Sequence, residues 1–165
     1  MSKHINVVWI DDDFGQSGTM ARTLDFFERA LMTTAYRQGY DCDDIVKIGG
    51  TDDALAYFDS PRLGVDIIIL DIAMPLPKDN AYCGDVTSTG CYIARHIATI
   101  LYGVAKDKRK KGPLITALTQ ITDAEIWAQL HDTHRLYFDK DMYIYRKQDD
   151  RYVWAAEIMK RIKER

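Results

Sequence analysis

The side chains best placed for chemistry in this chain are aspartates that close apolar runs. Asp71 ends the run Val65-Asp66-Ile67-Ile68-Ile69-Leu70-Asp71 and is followed at once by Ile72-Ala73-Met74-Pro75. A second run, Ile5-Asn6-Val7-Val8-Trp9-Ile10, finishes in Asp11-Asp12-Asp13. Two short β-branched runs that both end in carboxylates predict neighbouring parallel strands emptying acidic groups into one crevice. Open α/β sheets bind their ligands there, outside the carboxyl ends of the strands. Carboxylates gathered in such a place repel, by roughly 4 kcal/mol for two unit charges about 4 Å apart at an effective dielectric near 20. A divalent cation is the simplest relief, and hard oxygen donors point to Mg²⁺.

The elements that must position these groups follow from apolar periodicity. After the first strand, Met20, Leu24, Phe27 and Leu31 fall at helical spacing, with Gly39 as the stop. Ile45-Val46-Lys47-Ile48 reads as a short strand, and Thr51 or Asp52 then caps a brief helix carrying Leu55 and Phe58. The third strand covers 65–70. An irregular segment from Pro75 to Thr89 follows, and a helix from about Gly90 carries Ile93, Ile97, Ile100 and Leu101 on one face. The fourth strand is Leu114 to Thr119, and Thr122 to Glu125 has capping-box spacing before a helix through Leu130. Met142 to Lys147 is the fifth strand, and Trp154, Ile158 and Ile162 mark a closing helix. Five strands alternating with five helices predict one doubly wound α/β domain over 1–165, a five-stranded parallel sheet covered on both faces.

In a parallel sheet all strand ends of one sense share an edge. Asp11 and Asp12 after strand one, Asp71 after strand three, Thr119 closing strand four and Lys147 closing strand five therefore meet. Together they form a phosphoryl-transfer set. A metal neutralises charge, the ammonium and the hydroxyl hold phosphoryl oxygens, and one carboxylate attacks in line.

At this point the chain resembles the receiver domains of two-component response regulators, from Asn6 to about Ile162. The resemblance is carried by Val8-Trp9-Ile10-Asp11-Asp12, Ile69-Leu70-Asp71-Ile72-Ala73-Met74-Pro75, Leu118-Thr119 and Lys147. It implies a flavodoxin-like receiver fold of five βα units in which Asp71 accepts the phosphoryl group. It further implies that Asp12 and Asp71 bind Mg²⁺ directly, with Asp11 acting through water and the Ala73 carbonyl completing the protein ligands. Lys147 would pair with the acceptor, and Thr119 would take a phosphoryl oxygen after transfer. Asp12-Asp13 stays open as the alternative acidic pair. The resemblance makes the chain a signalling switch rather than a turnover enzyme. Its partners would be a histidine kinase or phosphotransfer protein and a downstream protein, with a homodimer as a further option. With no output domain following, the signal would leave through the fourth helix, fifth strand and fifth helix. Departures from the family bear on the output mechanism more than on the chemistry. Gln148 stands where receivers have Pro, Ile144 stands at the aromatic switch position between Tyr143 and Tyr145, and Gln120 stands where a small residue is usual. The inserted loop at 76–90 exceeds the family's short turn and invites a role as docking surface.

The bulk numbers agree with an ordinary soluble domain: 165 residues, 47% hydrophobic, 28% charged and a net charge of −3. Mild acidity argues against nucleic acid and anionic membrane as partners. Apolar stretches are too short to span a bilayer, no signal-peptide pattern opens the chain, and three cysteines give no disulfide framework, which together predict a cytoplasmic protein. Simpler explanations compete for single features: an aspartate at a strand-to-helix junction often only caps the helix, and the basic run Lys108 to Lys111 is most simply solvated. His131 and His134 lack a third ligand, and Cys83 and Cys91 flank the long loop without a metal-binding pattern. The enzymatic rival is a haloacid-dehalogenase-type phosphatase with Asp11 as nucleophile, although Gly15 stands where its threonine belongs. The other rival is an interaction module that never accepts phosphate.

Overall fold

Alternation along each strand divides the apolar residues between two cores. On one face Val8, Ile10, Ile68, Leu70, Ile115 and Ala117 are buried, and on the other Val7, Trp9, Ile67, Ile69, Leu114 and Leu118. The structure, a computed structural model, describes residues 2–60, 64–78, 89–104, 112–120 and 145–165, with the backbone alone at 98–104 and 145.

In chain order the elements are β1 (Lys3–His4), β2 (Val7–Ile10), α1 (Thr19–Arg37), β3 (Tyr40–Asp41), β4 (Ile45–Ile48), α2 (Thr51–Tyr57), β5 (Ile67–Leu70), α3 (Thr89–Val104), β6 (Leu114–Thr119), β7 (Tyr145–Arg146) and α4 (Arg151–Lys163). The main sheet is five-stranded in the order β4-β2-β5-β6-β7, and every pairing is parallel. β2, β5 and β6 are buried along their whole length, which is why they read as unbroken Val, Ile and Leu runs rather than as alternating ones. The expected α/β class and doubly wound parallel sheet are therefore observed.

Helices close both faces. α2 and α3 cover one with Ala54, Phe58, Cys91, Ile93, Ala94 and Ile97. α1 and α4 cover the other with Leu24, Phe27, Leu31, Trp154, Ile158 and Met159. That second core is aromatic: Trp154 packs edge-on to Phe27 at 5.1 Å between ring centroids and lies 5.8 Å from Trp9. α1 stops where the sequence predicts, with Gly39 at φ +82 one residue past the cap, a left-handed position that favours glycine.

Several expectations change in detail. The first strand begins at Val7 rather than Ile5, and Lys3–His4 ahead of it pairs with Tyr40–Asp41 in a separate two-stranded parallel sheet. The third strand is shorter than 65–70, beginning at Ile67. Neither Thr51 nor Asp52 caps α2, since extended Gly50 takes the cap position. Both instead reach across to the segment behind Asp71: the Thr51 hydroxyl donates to the Pro75 carbonyl, and the Lys78 amide donates to Asp52 Oδ1 at 3.0 Å. The described part of the fifth strand is Tyr145–Arg146, and Lys147 lies in the turn just beyond it. The expected helix at 122–130, residues 142–144 of that strand, Lys108 to Lys111, His131, His134, Cys83 and positions 79–88 of the inserted loop lie outside the described residues.

Candidate functional site

Asp11, Asp71 and Lys147 each sit one step past a strand, and the ladder itself carries them there. The Asp11 amide donates to the Ile48 carbonyl at 3.0 Å, and the Asp71 amide donates to the Ile10 carbonyl at 2.9 Å. β4, β2 and β5 therefore release their next residues side by side. On the other flank the Lys147 amide donates to the Thr119 carbonyl at 2.8 Å, which sets Lys147 beside the end of β6.

The two strand-end aspartates then shape their own turns. Asp11 Oδ1 accepts the Asp13 amide at 3.1 Å, and Asp71 Oδ1 accepts the Ala73 amide at 3.2 Å. This i to i+2 pattern is a natural use of aspartate at a chain reversal. It fixes both carboxylates and aims the following residues.

Lys147 joins the groups. Its ammonium lies 2.9 Å from Asp71 Oδ2, 2.9 Å from Asp13 Oδ2 and 3.1 Å from Asp11 Oδ1, with all three contacts in hydrogen-bond geometry. Asp11 Oδ2 is also 2.9 Å from the ammonium, yet this buried oxygen accepts no hydrogen bond. The side chains of Lys147, Asp11 and Asp71 are 1%, 0% and 3% exposed, so these charges sit away from bulk water. Burial alone disfavours the Lys147 charge, but the attraction of Asp71 and Asp11 outweighs it and holds the ammonium above the ordinary lysine range. Burial, reinforced by the Asp71 charge, pushes the Asp11 carboxyl up to about 7. The same two causes raise Asp12, which is half-buried.

One oxygen each from Asp11, Asp12 and Asp71 lies within 4.8 Å of the others. Three carboxylates at that spacing fit a hard divalent cation such as Mg²⁺ in charge and donor type. Of the three consecutive aspartates, Asp11 and Asp12 stand with Asp71 in this cluster. Asp13 turns instead towards Lys147 and Gln120, whose Nε2 donates to Asp13 Oδ2 at 2.7 Å. Ala73 lies in the bend behind β5, beside Asp71, and Thr119 is fully buried as the last residue of β6.

The sequence reading gave Asp13 and Gln120 no link to Lys147. The sequence singles out Gln148 in the turn that holds Lys147, but not the two aspartates that follow it. There Asp149 Oδ2 accepts the Arg146 amide at 2.8 Å, and the Asp149 amide donates to the Arg146 carbonyl at 2.9 Å. Asp150 caps α4, its Oδ1 accepting the Tyr152 and Val153 amides at 2.8 and 3.2 Å. Two aspartates thus hold this turn by hydrogen bonding. The signal was present as Asp150 ahead of the periodic Trp154, a standard cap position. Cys91, which flanks the long loop, is a buried thiol on α3, pushed up to about 12 by that burial. Ile144 and Tyr143, the residues at issue for an aromatic switch, lie outside the described residues.

No protein-family model matches the sequence, and no curated protein matches it. Solved structures do match the fold. A CheY-like response regulator receiver domain from Methanospirillum hungatei superposes with a TM-score of 0.58 at 14% identity, covering 98% of this chain and 96% of that one. The signal receiver domain of a LuxO repressor homologue from Vibrio parahaemolyticus gives 0.53 at 14% identity, covering 98% and 94%. A response regulator receiver protein from Burkholderia phymatum gives 0.51 at 17% identity, covering 96% and 95%. Among the described residues no helix is long and apolar enough to cross a membrane. At such low identity these similarities speak to architecture: the chain shares the fold of receiver domains.

Proposed function

We propose that the protein is a phosphorylation-dependent signalling switch whose acceptor is Asp71. The observation that carries this reading is the single ammonium of Lys147 bonded to both Asp11 and Asp71 beside a three-carboxylate cluster. A merely structural ion pair has no use for three carboxylates within 4.8 Å of one another, because their repulsion works against folding. Asp11, Asp12 and Asp71 would hold Mg²⁺, with the Ala73 carbonyl as a further donor. The ion would supply positive charge opposite the transferring group.

This chain's own residues perform the rest. An Asp71 carboxylate oxygen forms the new bond to phosphorus as the donor's P–N or P–O bond breaks, and the leaving group departs with the electron pair. Lys147, already 2.9 Å from Asp71, follows the negative charge onto the phosphoryl oxygens. Thr119, at the end of β6 beside Lys147, offers its hydroxyl to one of those oxygens. The donor would be a histidine kinase or a phosphotransfer protein, and the readout a protein contact. Apart from gaining and losing its own phosphoryl group the protein would turn over no substrate.

The test is incubation with Mg²⁺ and acetyl phosphate, followed by mapping of the modified residue. The expected adduct is on Asp71, absent without Mg²⁺ and absent in Asp71→Asn. An adduct on Asp11 with steady phosphoester turnover would make the protein a phosphatase. No adduct under any of these conditions would leave a phosphate-independent interaction module.

A further inference from the structure

Lys147 has no donor to spare. An ammonium has three N–H donors, and here each goes to a different aspartate: Asp11, Asp71 and Asp13. Asp11 and Asp71 belong to the acidic cluster that the proposed chemistry uses, whereas Asp13 has no part in it. Asp13 is nonetheless held firmly. Its amide is tied to Asp11 Oδ1, and its Oδ2 accepts Gln120 Nε2 at 2.7 Å as well as Lys147 at 2.9 Å. Gln120 comes from the end of β6 and Asp13 from the turn behind β2, so their bond spans the sheet edge at Lys147. Asp13 is on the solvent side of the arrangement, 15% exposed where Lys147 is 1%.

We propose that Asp13, anchored by Gln120, is a positioning residue that restrains Lys147 and slows phosphoryl transfer to Asp71. The proposal rests on the reading of Asp71 as acceptor. Two physical effects act in the same direction. The positive charge meant for the phosphoryl oxygens is divided among three anions, so less of it is available where charge develops. In addition, an anionic donor approaching Asp71 meets a carboxylate that no part of the transfer requires. Charges of like sign beside a binding route suppress approach.

The test compares wild type, Asp13→Asn, Gln120→Ala and the double variant in Mg²⁺ and acetyl phosphate, reading the rate of Asp71 adduct formation. Asparagine keeps the shape and the acceptor oxygen but removes the charge, so Asp13→Asn is expected to react about tenfold faster, and less so as salt rises. Gln120→Ala lets Asp13 swing towards solvent and gives a smaller gain in the same direction. Because both act through one contact, the double variant gains no more than Asp13→Asn alone, a non-additivity that an unspecific loss of packing would not produce. An Asp13→Asn rate equal to or below wild type, or gains that add in full, overturns the proposal. A wild-type adduct formed at unchanged rate in Asp13→Asn removes this inference alone. Absence of an Asp71 adduct in all four proteins removes the acceptor reading and the inference with it.

Discussion

On the faces of the sheet Trp9, Ile67 and Ile69 lie buried among other apolar side chains, while one or two residues further along the same strands Asp11 and Asp71 are buried almost as completely. The faces gain from this, since burying a large apolar side chain contributes roughly 1.5–3 kcal/mol. The edge loses, because its carboxylates share one ammonium and Asp11 is pushed up to about 7. Strands β2 and β5 thus switch from stabilising to destabilising work within a single residue step. The two cores supply the stability that lets the edge hold unbalanced charge, and the proposed binding of a cation and a phosphoryl group would draw on that imbalance. Removing an apolar side chain from a face and removing a carboxylate from the edge should therefore differ in sign as well as in size.

The largest effect belongs to the aromatic face. Trp154 is fully buried between Phe27 and Trp9, and Trp154→Ala should lower stability by about 3–5 kcal/mol. Urea unfolding in EDTA measures this, and the loss should persist unchanged in excess Mg²⁺ because the cavity lies on the face. An Mg²⁺-dependent loss would break the separation drawn here.

Lys147→Met comes next. It leaves Asp11, Asp13 and Asp71 facing one another without a counter-charge, and removal of one partner from a buried ion pair is expected to lose about 3 kcal/mol. Here the edge should behave unlike the face, with Mg²⁺ restoring more stability to Lys147→Met than it adds to wild type. Equal Mg²⁺ responses in thermal melts would show that the cation does not neutralise these carboxylates.

How far the sequence disclosed each region follows the same division. The face strands were legible because β2, β5 and β6 are buried on both sides and so are written as continuous Val, Ile and Leu runs. Asp11, Asp12, Asp71 and Lys147 were legible as a set because a parallel ladder must bring residues just past its strand ends together. Asp13 was not, since its direction is set by the bond from its amide to Asp11 Oδ1, a single local contact with no periodic signature. Gln120 was noticed as too large for its position, but its partner is 107 residues away in sequence and only the fold reveals it. The two-residue strands β1 and β3 are too short to carry any period. Thr51 and Asp52 were misread as caps because cap residues and long-range hydrogen-bonding residues are chemically the same.

Gly90→Ala tests the seam between face and edge. The Gly90 amide donates to the Ile72 carbonyl at 2.9 Å, so the first turn of α3 rests on the backbone behind Asp71. A Cβ added there would collide with the Asp71 carbonyl oxygen and come within 2.6 Å of Ile72 Cα. Backbone cannot yield as a flexible side chain does, and overpacking of this kind is expected to lose about 2 kcal/mol. Any accommodation must move Asp71, so Mg²⁺ affinity should fall together with stability. A stable Gly90→Ala protein with unaltered Mg²⁺ titration would uncouple α3 from the acidic edge.

The smallest effect has the opposite sign. Asp11 in the folded protein holds its proton up to about pH 7, whereas an ordinary aspartate loses it near the usual 3.8. Between those values the folded state binds more protons than the unfolded one, so this group's contribution to stability falls as pH rises through that window and is most favourable at its acid end. The slope is at most about 1.4 kcal/mol per pH unit, reversed from that of a carboxylate whose pairing lowers its pKa. Asp11→Asn removes both the titration and one of the repelling charges. In EDTA at pH 8 it should be more stable than wild type by about 1 kcal/mol, with the advantage shrinking as pH is lowered towards 5. Excess Mg²⁺ should reverse the ranking, because wild type alone keeps all three carboxylate ligands and gains by binding to its folded state. If Asp11→Asn is less stable than wild type in EDTA at pH 8, the Asp11 carboxylate is a net support of the fold through Lys147, and the sheet edge would then follow the same physical terms as the faces.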